Sequence, residues 1–129
     1  MKTFEELGLS KEIISVLEEL KFSEPTEIQE KVIPIALKGK DIIGGSATGS
    51  GKTLAFGAPI LEKISGGKGI QALILTPTRE LCEQVSKSIA NFSKYNHLKI
   101  VSIYGGVSIN QQIESLRRAD IVVGTPGRI

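Results

Sequence analysis

The 129-residue chain is 40% hydrophobic and 23% charged, ordinary values for one compact globular domain with a real core. Its formal net charge of +2 is too small to argue for nucleic acid without placed groups. No apolar run approaches a membrane span, the N-terminus lacks the apolar stretch of a signal peptide, and a single cysteine, Cys82, excludes an internal disulfide. A reducing, cytosolic compartment is expected.

Ser10 predicts the start of a first helix, with Ile13, Val16, Leu17 and Leu20 on one face. Thr26 starts a second, with Ile28, Val32 and Ile35 spaced for burial and Pro34 expected to kink or end it. A strand is expected over Asp41 to Gly44. A helix then runs through Leu54, Phe56 and Ile60, disturbed by Gly57 and Pro59. Ile70 to Leu75 reads as a strand, and Leu81, Val85, Ile89 and Phe92 mark the next helix. A third strand spans Lys99 to Tyr104, Ile109, Ile113 and Leu116 mark a short helix, and Asp120 to Val123 is a fourth strand. Short apolar strands alternating with helices predict an α/β fold: a parallel sheet with helices on both faces.

The residues with the clearest chemistry are Ser46, Ala47, Thr48, Gly49, Ser50, Gly51, Lys52 and Thr53. They sit between a predicted strand and a predicted helix. Glycines let the backbone turn its N–H groups toward an anion, and the helix adds its unpaired N-terminal amides. In such a phosphate loop Lys52 reaches the β- and γ-phosphates of ATP, and the Thr53 hydroxyl ligates Mg²⁺. Ser46 stands where the strict pattern has glycine. The bland alternative is a flexible turn carrying a lysine.

Two readings of Gln29 stay open. Thr26 and Gln29 fit a capping box, in which the glutamine bonds back to the Thr26 backbone. A glutamine amide also matches the N7 acceptor and N6 donor of adenine, with Phe22 over the face of the base. Three further motifs each follow a strand, at the sheet edge where open α/β sheets bind ligands. They are Pro77-Thr78-Arg79, Gly105-Gly106 and Thr125-Pro126-Gly127-Arg128. Thr78 and Thr125 can cap helices beside free amides, the arginines add charge, and the glycine pair allows close backbone approach. Taken singly, each also reads as a turn with a solvated charge. His97 reads as surface, Cys82 as a buried apolar group, and Arg117-Arg118 as a solvated helix end.

Together these segments resemble the DEAD-box RNA helicases. Lys21-Phe22 through Gln29 is similar to the family's Q motif, which selects adenine, and Phe4 stands where the family carries an upstream aromatic. Lys21 replaces the usual glycine and leaves the recognition atoms untouched. Cys82 replaces the usual alanine in Pro77 to Gln84. The resemblance implies a RecA-like P-loop NTPase fold over 1–129, with residues 1–38 as the Q-motif region and 39–129 as the phosphate-loop core. It implies that Phe4, Phe22, Gln29 and residues 46–53 bind ATP, with Lys52 and Thr53 catalytic. It implies that Pro77, Thr78, Arg79, Gly105, Gly106, Thr125, Pro126, Gly127 and Arg128 line a track for the RNA sugar-phosphate backbone.

The family's hydrolysis machinery is incomplete in this chain. There is no Asp-Glu-Ala-Asp sequence to hold Mg²⁺ and orient water, no Ser-Ala-Thr motif following one (Ser46-Ala47-Thr48 belongs to the phosphate loop) and no second RecA-like domain. Poor hydrolysis by this chain alone is therefore expected. In the family's sheet the two missing strands lie between the phosphate-loop strand and the strand ending at Thr76, so Asp41 to Gly44 is expected to lack an ordinary neighbour. The gap implies either the front part of a longer helicase domain or pairing between copies. Two rivals remain: a P-loop ATPase or kinase acting on a small molecule, and a non-catalytic binding module.

Overall fold

The computed structural model describes residues 3–45, 51–106 and 108–129. Its elements run α1 (Lys11–Glu19), α2 (Glu27–Leu37), α3 (Lys52–Lys63), β1 (Ala72–Leu75), α4 (Arg79–Phe92), β2 (Ile100–Ile103), α5 (Ile109–Leu116) and β3 (Ile121–Gly124). They divide into two compact units, Met1–Lys63 with Phe92–Tyr95, and Ile64–Asn91 with Asn96–Ile129. No helix among the described residues is long and apolar enough to cross a membrane.

In the first unit Ile13, Val16 and Leu17 bury the inner face of α1, as their spacing predicts. The helix ends in a Schellman motif. Lys21 takes the left-handed conformation (φ 63°), its N–H bonds the Glu18 carbonyl, and the Phe22 N–H reaches back to Leu17. Helix α2 runs through Pro34 to Leu37, and α3 runs through Gly57 and Pro59 without a break. These are corrections to the expected interruptions. Each proline removes one backbone donor, and tertiary burial outweighs that loss: Gly57, Ala58 and Pro59 are all buried, so small residues bring α3 close to α2. The buried stripe of α2 is also shifted. Ile33 and Gln29 are buried, whereas Ile35 is exposed. Exposed Glu19 takes a hydrogen bond from the Tyr95 hydroxyl and an ion pair with Lys94 at 3.0 Å, and these hold its carboxyl below the usual range.

The expected strand at Asp41 to Gly44 does not form among the described residues. Ile43 is fully exposed and Ile42 is 37% exposed. A strand exists only with a hydrogen-bonded neighbour, and among the described residues this segment has none.

The second unit holds a three-stranded parallel sheet in the order β1-β3-β2. Ala72 and Ile100 both lie opposite Ile121, and Leu73 and Val101 opposite Val122. Helix α4 covers one face, where the Cys82 thiol meets the Val123 carbonyl at 3.2 Å and Ser102 bonds Ser86 at 2.6 Å. On the other face Leu116 of α5 packs on Val101, Ile103, Ala119 and Val122. Every residue of central β3 is buried, as expected for a sheet covered on both sides. Coverage stops at β1, where Leu73 and Leu75 are more than half exposed, because eight-residue α5 is too short to reach across. Cys82 is buried and His97 is exposed, as their sequence contexts predict.

Candidate functional site

The first candidate site is the corner where α2 and α3 begin. Thr26 is the N-cap of α2, and the Gln29 side chain turns back so that its Oε1 accepts from the Thr26 N–H at 2.9 Å. Its Nε2 donates to the Gly51 carbonyl at 3.2 Å. That carbonyl also takes the first helical bond of α3, from Ala55. Gly51 has φ +88°, and a side chain there would collide with the Gln29 amide, so the position demands glycine on two counts. Gln29 is 3% exposed. Its two bonds still leave the amide one N–H and one lone pair. The capping bond and a readout of adenine are thus compatible rather than exclusive.

Beside it lies an unmet polar atom. The buried Thr26 Oγ1 has no hydrogen-bond partner among the described residues. In the capping box it faces the Gln29 backbone N–H, just outside strict hydrogen-bond geometry. Lys52 opens α3 with an exposed side chain, and Thr53 is half-buried next to it. Ser46, Ala47, Thr48, Gly49 and Ser50 lie outside the described residues. Phe22 is 42% exposed and meets Phe92 edge-on, with ring centroids 6.3 Å apart, so one face remains open; Phe4 is buried. A 440 Å³ groove walled by Ile28, Val32, Ile42, Phe56, Pro59 and Ile60 is also lined by Lys40, Lys52 and Lys63.

The second candidate site is the carboxyl rim of the sheet. Thr78 caps α4, its Oγ1 accepting from the Leu81 N–H at 3.2 Å. Arg79 lies over the Tyr104 ring, 4.7 Å from its centroid, a cation–π contact that fixes the guanidinium. The Tyr104 phenol is pushed up from its ordinary value, chiefly by its hydrogen bond to Glu83. Gly105 and Gly106 follow Tyr104, exposed, with Gly106 at φ +86°. After β3 the chain turns at Thr125, whose carbonyl accepts from both Arg128 and Ile129. Pro126 and Gly127 are exposed, and Arg128 Nη1 donates to Gln112 Oε1 at 3.2 Å. Gln112 Nε2 in turn donates to the Tyr104 carbonyl at 2.9 Å. The three rim motifs therefore belong to one bonded network. Tyr104 and Gln112 are the members sequence reasoning missed. Gln112 sits one position off an apolar stripe, and only the fold shows that it points inward.

Residues 26–129 match the family described as DEAD/DEAH box helicase. The chain belongs to the DEAD/DEAH box helicase family. It is 47% identical over 131 aligned residues to the DEAD-box ATP-dependent RNA helicase CshA of Geobacillus kaustophilus, covering 100% of this chain and 28% of that one. A crystal structure of a DEAD box protein from Methanococcus jannaschii superposes with a TM-score of 0.94 at 47% identity, over 98% of this chain and 35% of that one. The helicase Prp28 of Chaetomium thermophilum, solved bound to ADP, gives a TM-score of 0.87 at 43% identity, over 99% of this chain and 33% of that one. The chain thus spans about a third of the length of these DEAD-box relatives.

Proposed function

We propose that this chain carries the ATP-binding and RNA-binding surfaces of a DEAD-box ATP-dependent RNA helicase, an enzyme that remodels RNA duplexes or RNA–protein complexes. The observation that carries the reading is Gln29, tied to Gly51 at the foot of the phosphate loop with one donor and one acceptor to spare. That pair is what adenine requires. The glycine-only backbone at Gly51 fits a nucleotide in this corner. Gln29 and Phe22 would hold the base, residues 46–53 the phosphates through backbone amides and Lys52, and Thr53 would ligate Mg²⁺. The rim residues Thr78, Arg79, Gly105, Gly106, Thr125 and Arg128 would grip sugar and phosphate with little sequence preference.

The 129 residues contain no Asp-Glu-Ala-Asp sequence, so turnover draws on carboxylates and a second RecA-like domain beyond them. The chain by itself binds nucleotide and hydrolyses it poorly. A cytoplasmic setting accords with this role. Titration with ATP and GTP in Mg²⁺ tests the reading. ATP binds better, and Gln29→Ala erases about 1–3 kcal/mol of that preference. Gln29→Glu keeps the oxygen that caps Thr26 but removes the donor, so it loses the preference while the helix stays capped. Equal affinity for ATP and GTP in the unaltered chain overturns the assignment. A small-molecule P-loop ATPase, by contrast, shows no salt-dependent binding of single-stranded RNA.

A further inference from the structure

Helix α5 contradicts its own sequence pattern. Its Ile109 and Ile113 are about half exposed, and its one buried residue is polar: Gln112, 7% exposed. A buried amide costs free energy unless both ends are bonded. Here both are, to different motifs. Nε2 donates to the Tyr104 carbonyl, which leads into Gly105-Gly106, and Oε1 accepts from the Arg128 guanidinium. Chemistry fixes the amide's sense, since the flipped amide would set N–H against guanidinium and oxygen against carbonyl. Tyr104 extends the chain of contacts, because its ring carries Arg79.

We propose that Gln112 is a positioning residue, setting the spacing between the glycine pair at the end of β2 and the Arg128 guanidinium at the end of β3. The inference rests on reading that rim as the RNA track. An arginine on a flexible stem loses side-chain entropy when it closes on a phosphate. Gln112 holds the Arg128 guanidinium at Nη1 beforehand, so less of that entropy is lost when the guanidinium closes on the strand's backbone. The amide is uncharged, so it orients the guanidinium without neutralising it.

A double-mutant cycle on the 129-residue chain, read by binding of a fluorescein-labelled single-stranded oligouridylate, tests this. Arg128→Ala weakens binding about tenfold, in line with loss of a charge-assisted phosphate contact. Gln112→Met, of similar length, weakens it about fivefold, and the double variant is no more than about twofold worse than Arg128→Ala alone. Losses that simply multiply overturn the inference but leave the RNA track standing. No effect of Arg128→Ala, or no binding by the unaltered chain, overturns the RNA track itself. Should Gln112→Met fail to fold, Gln112→Glu decides, with the exposed neighbour Gln111→Glu as a charge-matched control. The buried carboxylate pairs with Arg128 and lowers the salt dependence by about one charge. The control lowers it less. Equal changes in the two overturn the inference.

Discussion

Two helices of this protein each bury a glutamine, and the two glutamines do opposite kinds of work. Gln29 of α2 is bonded to backbone alone, the Thr26 N–H and the Gly51 carbonyl. Gln112 of α5 is bonded to one backbone carbonyl and to a charged side chain, Arg128. The first leaves one donor and one acceptor of its amide unused, the capacity the proposed adenine readout requires. The second spends its capacity arranging another residue. The proposed nucleotide corner is thus made of backbone geometry, whereas the rim is a side-chain network assembled in advance. Preorganisation lowers the entropy lost on binding, which suits the sequence-independent hold on an RNA backbone proposed for the rim.

The largest expected effect comes from breaking the corner while sparing the rim. Lys52→Ala reduces affinity for a fluorescent ATP analogue with Mg²⁺ by about 100-fold or more, the worth of charge-assisted bonds to phosphate. Lys52 is exposed at the first position of α3, so the thermal midpoint stays within about 2 °C. Affinity for single-stranded RNA in the absence of nucleotide is unchanged. Nucleotide binding that survives this substitution puts the phosphate site elsewhere and dissolves the contrast between corner and rim.

A smaller effect separates charge from stacking at the rim. Arg79→Ala weakens RNA binding about uniformly across sequences and reduces the salt slope by about one. Arg79→Lys keeps the charge but loses the planar stack on Tyr104, so the slope is retained while affinity falls by part of the alanine loss. Identical behaviour of lysine and arginine would mean that the stack does not organise the rim.

The two sites were not equally legible in the sequence. The alternation of strands and helices, the strand at Asp120 to Val123 and the Thr26–Gln29 cap follow from short-range periodicity and capping chemistry, and the structure has them, whereas the central place of β3 shows only in the fold. What failed depends on contacts between distant residues. Pro34 and Pro59 did not end their helices; at Pro59 burial outweighed the missing donor, and beside Pro34 the helix buries Ile33. Asp41 to Gly44 was extended in pattern but found no partner to ladder with. On α5, Ile109 and Ile113 carry the better hydrophobic spacing, yet Gln112 turns inward, because a carbonyl 8 residues upstream and a guanidinium 16 residues downstream meet there. Gln29 could be found from its local motif. Gln112 could not, since its partners become neighbours only once β2 and β3 are placed.

The smallest predicted effect concerns the backbone that presents Phe22. Lys21 and His97 are the two non-glycine residues with positive φ among the described residues, at 63° and 54°. Lys21 is the left-handed residue of a Schellman ending, the position that glycine fills at least steric cost. The left-handed conformation costs an L-residue roughly 1–2 kcal/mol, whereas glycine adds about 0.5–1 kcal/mol of unfolded-chain entropy. The first term wins, so Lys21→Gly stabilises the chain by about 0.5–1 kcal/mol in urea unfolding. The bonds that close the turn use backbone atoms of Glu18 and Leu17, so the substitution leaves the turn and the ATP-over-GTP preference as they were. A loss of stability would show that the Lys21 side chain contributes more than its backbone strain removes. A changed preference would show that the α1 ending and the nucleotide corner are coupled, and that Phe22 is placed by more than the turn that carries it.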